Sequence, residues 1–172
     1  MTTKIPESFL KNFYTGTTDP TSTTRLNADC YLYATRIYNA VYNDYAECFN
    51  NKELEYDKVI HKIVELDEND NTILASEDST VVVGIVSNSY GHLLGGTEET
   101  IADNKKIPVG LIGQVYVDSI DKVDIKNRGK FITSGGNGLA KVNDNPKLGT
   151  IVGKIIGIDI INNRYKIVIT LS

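Results

Sequence analysis

The sequence predicts a mainly β protein: a short N-terminal arm, an intertwined stalk strand, and a compact β-barrel or sandwich-like domain. Three observations predict it. Runs rich in Val and Ile recur at strand length, and clusters of Gly, Asn, Asp and Pro separate them. No segment carries the 3.6-residue periodicity of a helix longer than two or three turns. With 172 residues, there is room for one ordinary domain and an appendage.

Residues 1–24 read as an anchoring arm and linker. In "KIPESFLKNFYTG", Ile5, Phe9, Leu10 and Phe13 fall near helical spacing, with Pro6 to start a turn and Gly16 to stop it. The Thr-rich "TGTTDPTSTT" that follows has nothing to bury. An arm this short, with a few large apolar side chains, suits docking on a partner or packing as a turn on its own domain.

Residues 25–43, "RLNADCYLYATRIYNAVYN", alternate with period 2. Leu26, Ala28, Cys30, Leu32 and Ala34 share one face; Asn27, Asp29, Tyr31, Tyr33 and Thr35 share the other. A narrow apolar face suits a crowded axis where several strands approach one another. The tyrosines 31, 33, 38, 42 and 45 suit an interface that is dry on one side and wet on the other. The expectation is strand pairing between chains, against the plainer alternative of edge strands on a monomeric sheet.

Residues 44–172 form the main domain. Strands are expected at Asp57–Leu66, Ser79–Ser87, Ile107–Asp118, Lys130–Gly135, Gly149–Ile160 and Arg164–Leu171. The turn "INNR" joins the last two as a tight hairpin, since Asn tolerates positive φ. Glycines 84, 110, 113, 153 and 157 stand inside strands, where they mark bulges or sharp bends.

Composition narrows the function. A net charge of −4 with scattered Lys and Arg argues against a nucleic-acid partner. No apolar run nears the ~20 residues of a membrane span, and no signal-peptide core is present, so a soluble chain made in the cytosol is expected. Two distant cysteines and two distant histidines assemble no zinc site. No metal and no cofactor are expected. "SNSYGH" sets Ser87, Ser89 and His92 close together without a nucleophile elbow, and "SGGNGLA" leads into no helix that would hold a phosphate.

One candidate for chemistry remains, at "DYAE". In a helical turn, Asp44 and Glu47 would share a face, one carboxyl serving as base and one as acid for amide hydrolysis. A helix-capping arrangement explains the same residues without catalysis.

The ordered motifs "NDYAECF", "VVVGIVSNSYGHLLGG", "IPVGLIGQVYVD", "GKFITSGGNGLAK" and "LGTIVGKIIG" resemble a phage family. It is the intramolecular-chaperone, autoproteolytic domain at the C-terminus of phage tail-spike and preneck appendage proteins. The resemblance runs from about Arg25 to about Gly157. It implies a homotrimer, a stalk ending near Tyr42, and a cut at Asn43–Asp44 carried out by Asp44 and Glu47 as a glutamic-type self-cleaving peptidase. This chain departs from the pattern with Cys48-Phe49-Asn50-Asn51 after the glutamate and Asn43 before the cut. A short arm is expected here in place of a long spike body.

The expected function is therefore a phage virion structural protein made in the host cytoplasm. It would be a trimeric knob, retained uncut and held to other virion proteins by its arm. Capsid decoration as a head spike is favoured slightly over the tail baseplate. The alternatives are an active self-cleaving chaperone in a tail fibre or appendage, and a tip that binds host-surface carbohydrate.

Overall fold

The computed structural model describes residues 44–96 and 98–172. The arm residues Ile5, Phe9, Leu10 and Phe13, the stalk residues Leu26, Ala28, Cys30, Leu32 and Ala34, and Asn43 lie outside the described residues.

The described chain is mainly β, as expected, and its sheet curls into a half-barrel. The strands are β1 (Asp44–Asn50), β2 (Ile63–Leu66), β3 (Thr72–Leu74), β4 (Val82–Val86), β5 (His92–Leu94), β6 (Lys106–Asp118), β7 (Phe131–Ser134), β8 (Ala140–Asn143), β9 (Gly153–Asp159) and β10 (Arg164–Ile169). Among the described residues two short α-helices, α1 (Tyr56–Val59) and α2 (Glu98–Ala102), and one 3-10 turn (Ile125–Asn127) interrupt them.

Strand order is β3-β2-β4-β6-β10-β9-β7-β8, with β1 also on β6 and β5 on β1. The long strand β6 is the spine. Its first half, Lys106–Gly113, pairs with β1, and Val109 and Gly110 also pair with β4. Its second half, Gln114–Asp118, pairs with β10. Gly113, at the change of partners, has φ +120, a conformation side chains strongly disfavour.

Three of the strand glycines mark irregularities in register, whereas Gly153 sits in regular pairing with Ile169 and Ile132. The β2–β4 register shifts next to Gly84, the β1–β6 register next to Gly110, and the β9–β10 register next to Gly157. Each shift adds twist, and twist is what rolls the sheet. The expected hairpin is also present: β9 and β10 are joined through Ile160–Asn163, with Asn163 at φ +54.

Two of the sequence expectations need correcting. The run Asp57–Leu66 is not one strand. Tyr56–Val59 is a helical turn, and His61 at φ +70 redirects the chain so that β2 begins only at Ile63. That turn lets Val59 cover one face of the sheet while Ile63 enters the other. "DYAECFN" is likewise no helical turn; it is β1, paired with β6 along its whole length.

The apolar side chains divide between the two faces. The larger cluster fills the inside of the curl and includes Ile63, Ile85, Val115, Val117, Ile132, Ile155, Tyr165 and Ile167. Each fully buried isoleucine there contributes about 1.5–3 kcal/mol relative to exposure. The smaller cluster (Val59, Val64, Val86, Ile107, Val109) lies on the outer face, under Phe49, Leu54 and Tyr56.

Candidate functional site

β1 alternates buried and exposed residues: Asp44, Ala46 and Cys48 point inward, Tyr45 and Glu47 outward. An extended strand places Asp44 and Glu47 on opposite faces, with their Cα atoms about 10 Å apart. The two carboxylates of "DYAE" do not meet within one chain. What the structure brings to Asp44 instead is Ser87.

Asp44 is 2% exposed. Its Oδ1 accepts a hydrogen bond of 3.1 Å from the Ser87 hydroxyl. Its Oδ2 has no hydrogen-bond partner, a condition shared among the described residues only by the Thr133 hydroxyl oxygen. The backbone carbonyl of Asp44 accepts from Gly91 N–H at 2.9 Å. Space for the carboxyl comes from Gly110: a Cβ at that position would overlap Oδ2 and lie 3.3 Å from Val115 Cγ1. So the carboxyl sits at the edge of the larger core cluster. Burial pushes its pKa above the usual carboxylate range, with the Ser87 hydrogen bond opposing. Among the described residues no cation contributes to the shift. A carboxyl so placed holds its proton to higher pH than an exposed one, which is what a general acid requires.

Ser87 is itself held on several sides. Its N–H donates to the Pro108 carbonyl at 3.0 Å, and its carbonyl accepts from the Tyr56 hydroxyl at 3.0 Å. Its Oγ accepts from Ser89 N–H at 3.3 Å. Burial, with Tyr90, Asp57, Cys48 and Asp44 adding to it, pushes the Tyr56 phenol up to about 12. Burial raises the Cys48 thiol as well, opposed by Lys106. Both side chains stay neutral around Asp44 at ordinary pH.

His92 does not join Ser87. It stands on the exposed outer face, its ring 5.4 Å from that of Tyr45. The serine of "SNSYGH" thus has an acid partner after all, but that partner is 43 residues away in sequence and no local motif contains both. Gly110 carried a signal as a glycine inside a strand; only the fold shows what it makes room for.

The outer face beside this site is open. Tyr45 pairs with Ile112 across β1 and β6, and Tyr45 and Glu47 pair with His92 and Leu94 across β1 and β5. Tyr45, Leu94 and Ile112 are 61%, 53% and 68% exposed, an apolar stripe continuing the face that α1 covers further along. Among the described residues no group of acidic, His and Cys side chains is arranged to hold a metal ion, and no helix is long and apolar enough to cross a membrane.

No protein-family model matches the chain, and no curated protein matches it. Two solved structures resemble it. One is the pre-mature bacteriophage phi29 gene product 12, with 17% identity, 76% of this chain and 21% of that chain covered, and a TM-score of 0.49. The other is the C-terminal fragment of bacteriophage phi29 gene product 12, with 18% identity, coverage of 75% and 100%, and a TM-score of 0.49. This chain thus spans 21% of the length of the first of them.

Proposed function

We propose that the chain is a phage virion structural protein, a homotrimeric knob attached to capsid or baseplate through residues 1–24. The ordered sequence motifs from "NDYAECF" to "LGTIVGKIIG" support the phage reading. Association with other copies is supported by one observation, the exposed stripe of Tyr45, Leu94 and Ile112 on the outer face of β1, β5 and β6, and the number three follows from the family resemblance. Apolar surface of this kind, continuous with a covered cluster, favours burial against another copy.

The test is the solution mass of the full chain. A trimer has three times the 19.0 kDa chain mass, and Leu94→Lys with Ile112→Lys converts it to monomer with the fold retained. A monomeric wild type, or a trimer indifferent to both lysines, overturns the reading.

A second reading, self-cleavage at Asn43–Asp44, is favoured by a specific observation. Asp44, which would follow the scissile bond, is buried with a raised pKa and an unpartnered oxygen. In this reading Asp44 supplies the acid, while Glu47 on the outer face cannot reach it within the same chain. The denatured intact mass of chains taken from particles separates a retained knob from a cut one.

A further inference from the structure

We propose that Ser87 is the positioning residue of the Asp44 carboxyl: its hydroxyl fixes which oxygen carries the proton, and Gly110 with Val115 forms the dry recess that receives it. The inference rests on the self-cleavage reading for its catalytic meaning, but its geometry stands apart from that reading.

The hydroxyl of Ser87 has one proton to give. Its oxygen accepts from Ser89 N–H, and the hydroxyl donates to Asp44 Oδ1. Oδ1 is therefore the accepting, carbonyl-like oxygen of the neutral acid, and the acid proton belongs on Oδ2. Oδ2 lies against Gly110, on the side where Val115 also approaches that glycine, and among the described residues no acceptor competes for that proton. The main chain of Ser87 is tied to Pro108 and Tyr56, and its Oγ is held by Ser89 N–H. The titratable groups around Asp44 are Cys48 on β1, Tyr56 on α1 and Tyr90 in the 87–92 connection, and Glu47 faces the opposite side of β1. None of these described groups is a cation, and the hydrogen bonds that oppose burial of the carboxyl come from the Ser87 hydroxyl and, less strongly, from the Asp44 backbone N–H.

In self-cleavage the step balances without a second carboxylate. Water adds to the Asn43 carbonyl carbon as the Asn43–Asp44 C–N bond breaks. The Asp44 carboxyl gives its proton to its own amide nitrogen and recovers one from the water, leaving a new carboxylic acid on Asn43 and a free amine on Asp44. A carboxyl turned away from this orientation loses the transfer, and small misplacements cost one to two orders of magnitude.

The experiment uses the full chain labelled with ¹³C at aspartate carboxyls, with Asp44→Asn to assign the Asp44 signal. Ser87→Ala is expected to move the Asp44 titration midpoint further up, because the ionised form loses its donor, and Ser87→Thr is expected to restore it. In parallel, mass spectrometry follows the fraction cut at Asn43–Asp44 across pH. Ser87→Ala is expected to slow the cut by about tenfold or more and to shift its descending limb to higher pH. A Ser87→Ala chain that is less stable but keeps the Asp44 midpoint and the pH profile overturns the proposal. If Ser87→Ala does not fold, Ser87→Cys, whose thiol is a weak donor, replaces it: an unmoved midpoint there overturns the proposal. A wild-type chain that is never cut sinks the self-cleavage reading alone, and the titration still decides the role of Ser87.

Discussion

Asp118 and Asp44 are two aspartates of one sheet, and the fold treats them in opposite ways. Asp118, at the end of β6, gives one oxygen to Arg164 Nε at 2.7 Å and the other to Lys62 Nζ at 3.0 Å. Its partners come from β10 and from the turn before β2, so the charge fastens three parts of the chain together. Asp44, on the neighbouring strand, has one serine, one glycine recess and no cation. A fold that can pair a carboxylate twice over at Asp118 leaves another half-paired in its core. Unpaired burial of an acid costs free energy, and such costs concentrate where chemistry or switching needs them.

Three substitutions sharpen that contrast, in order of expected effect. Gly110→Ala is the largest. The new methyl overlaps the Asp44 carboxyl and crowds Val115, so it is expected to destabilise by roughly 2–3 kcal/mol in urea unfolding. Adding Asp44→Ala to Gly110→Ala should recover much of that loss, a coupling that a double-mutant cycle reads directly. Additive losses would mean that the glycine serves the backbone and not the carboxyl.

Asp118→Ala comes next, at roughly 1–2 kcal/mol, between the values of exposed and buried ion pairs. The side chains of Asp118, Lys62 and Arg164 are 21%, 22% and 28% exposed, so water softens the loss. Raising salt should shrink the Asp118 effect and leave the Gly110 effect untouched.

Asp44→Asn has the smallest effect in acid and changes with pH. The folded state raises the Asp44 pKa, so the stability held by the neutral acid is complete below the unfolded pKa. It is lost as pH rises through the folded pKa. An asparagine keeps the hydrogen bond to Ser87 and has no charge to bury. The variant should therefore match wild type near pH 4 and melt higher than wild type at pH 8, as scanning calorimetry would show. Equal melting temperatures at both pH values would mean that Asp44 pays no burial cost.

The sequence carried the fold further than it carried the site. The Val/Ile runs of β4, β6, β7, β9 and β10, the Asn-rich β9–β10 turn and the glycine-marked register shifts were all legible, because each is a local pattern. The β1 strand was not, since "DYAECFN" mixes polar and apolar residues and takes its extended form from pairing with β5 and β6. The short strands β3, β5 and β8 have three or four residues each, too few to show a period. Asp44 stood out in the sequence with Glu47 as its expected neighbour, and the fold gives it other neighbours. Its spacing to Glu47 suggested a shared helical face, whereas the strand turns Glu47 outward and tertiary pairing supplies Ser87 and Gly110.

The placement of β1 has a mechanical consequence. It lies between a parallel neighbour, β5, and an antiparallel one, β6, and is paired with β6 from Asp44 to Asn50. A pull on residue 44 along the strand axis loads those hydrogen bonds together, in shear, and does not unzip them one at a time. The spine strand then spreads the load to β4 along its first half and to β10 along its second. A knob tethered through this strand would resist tension with the strength of its whole sheet.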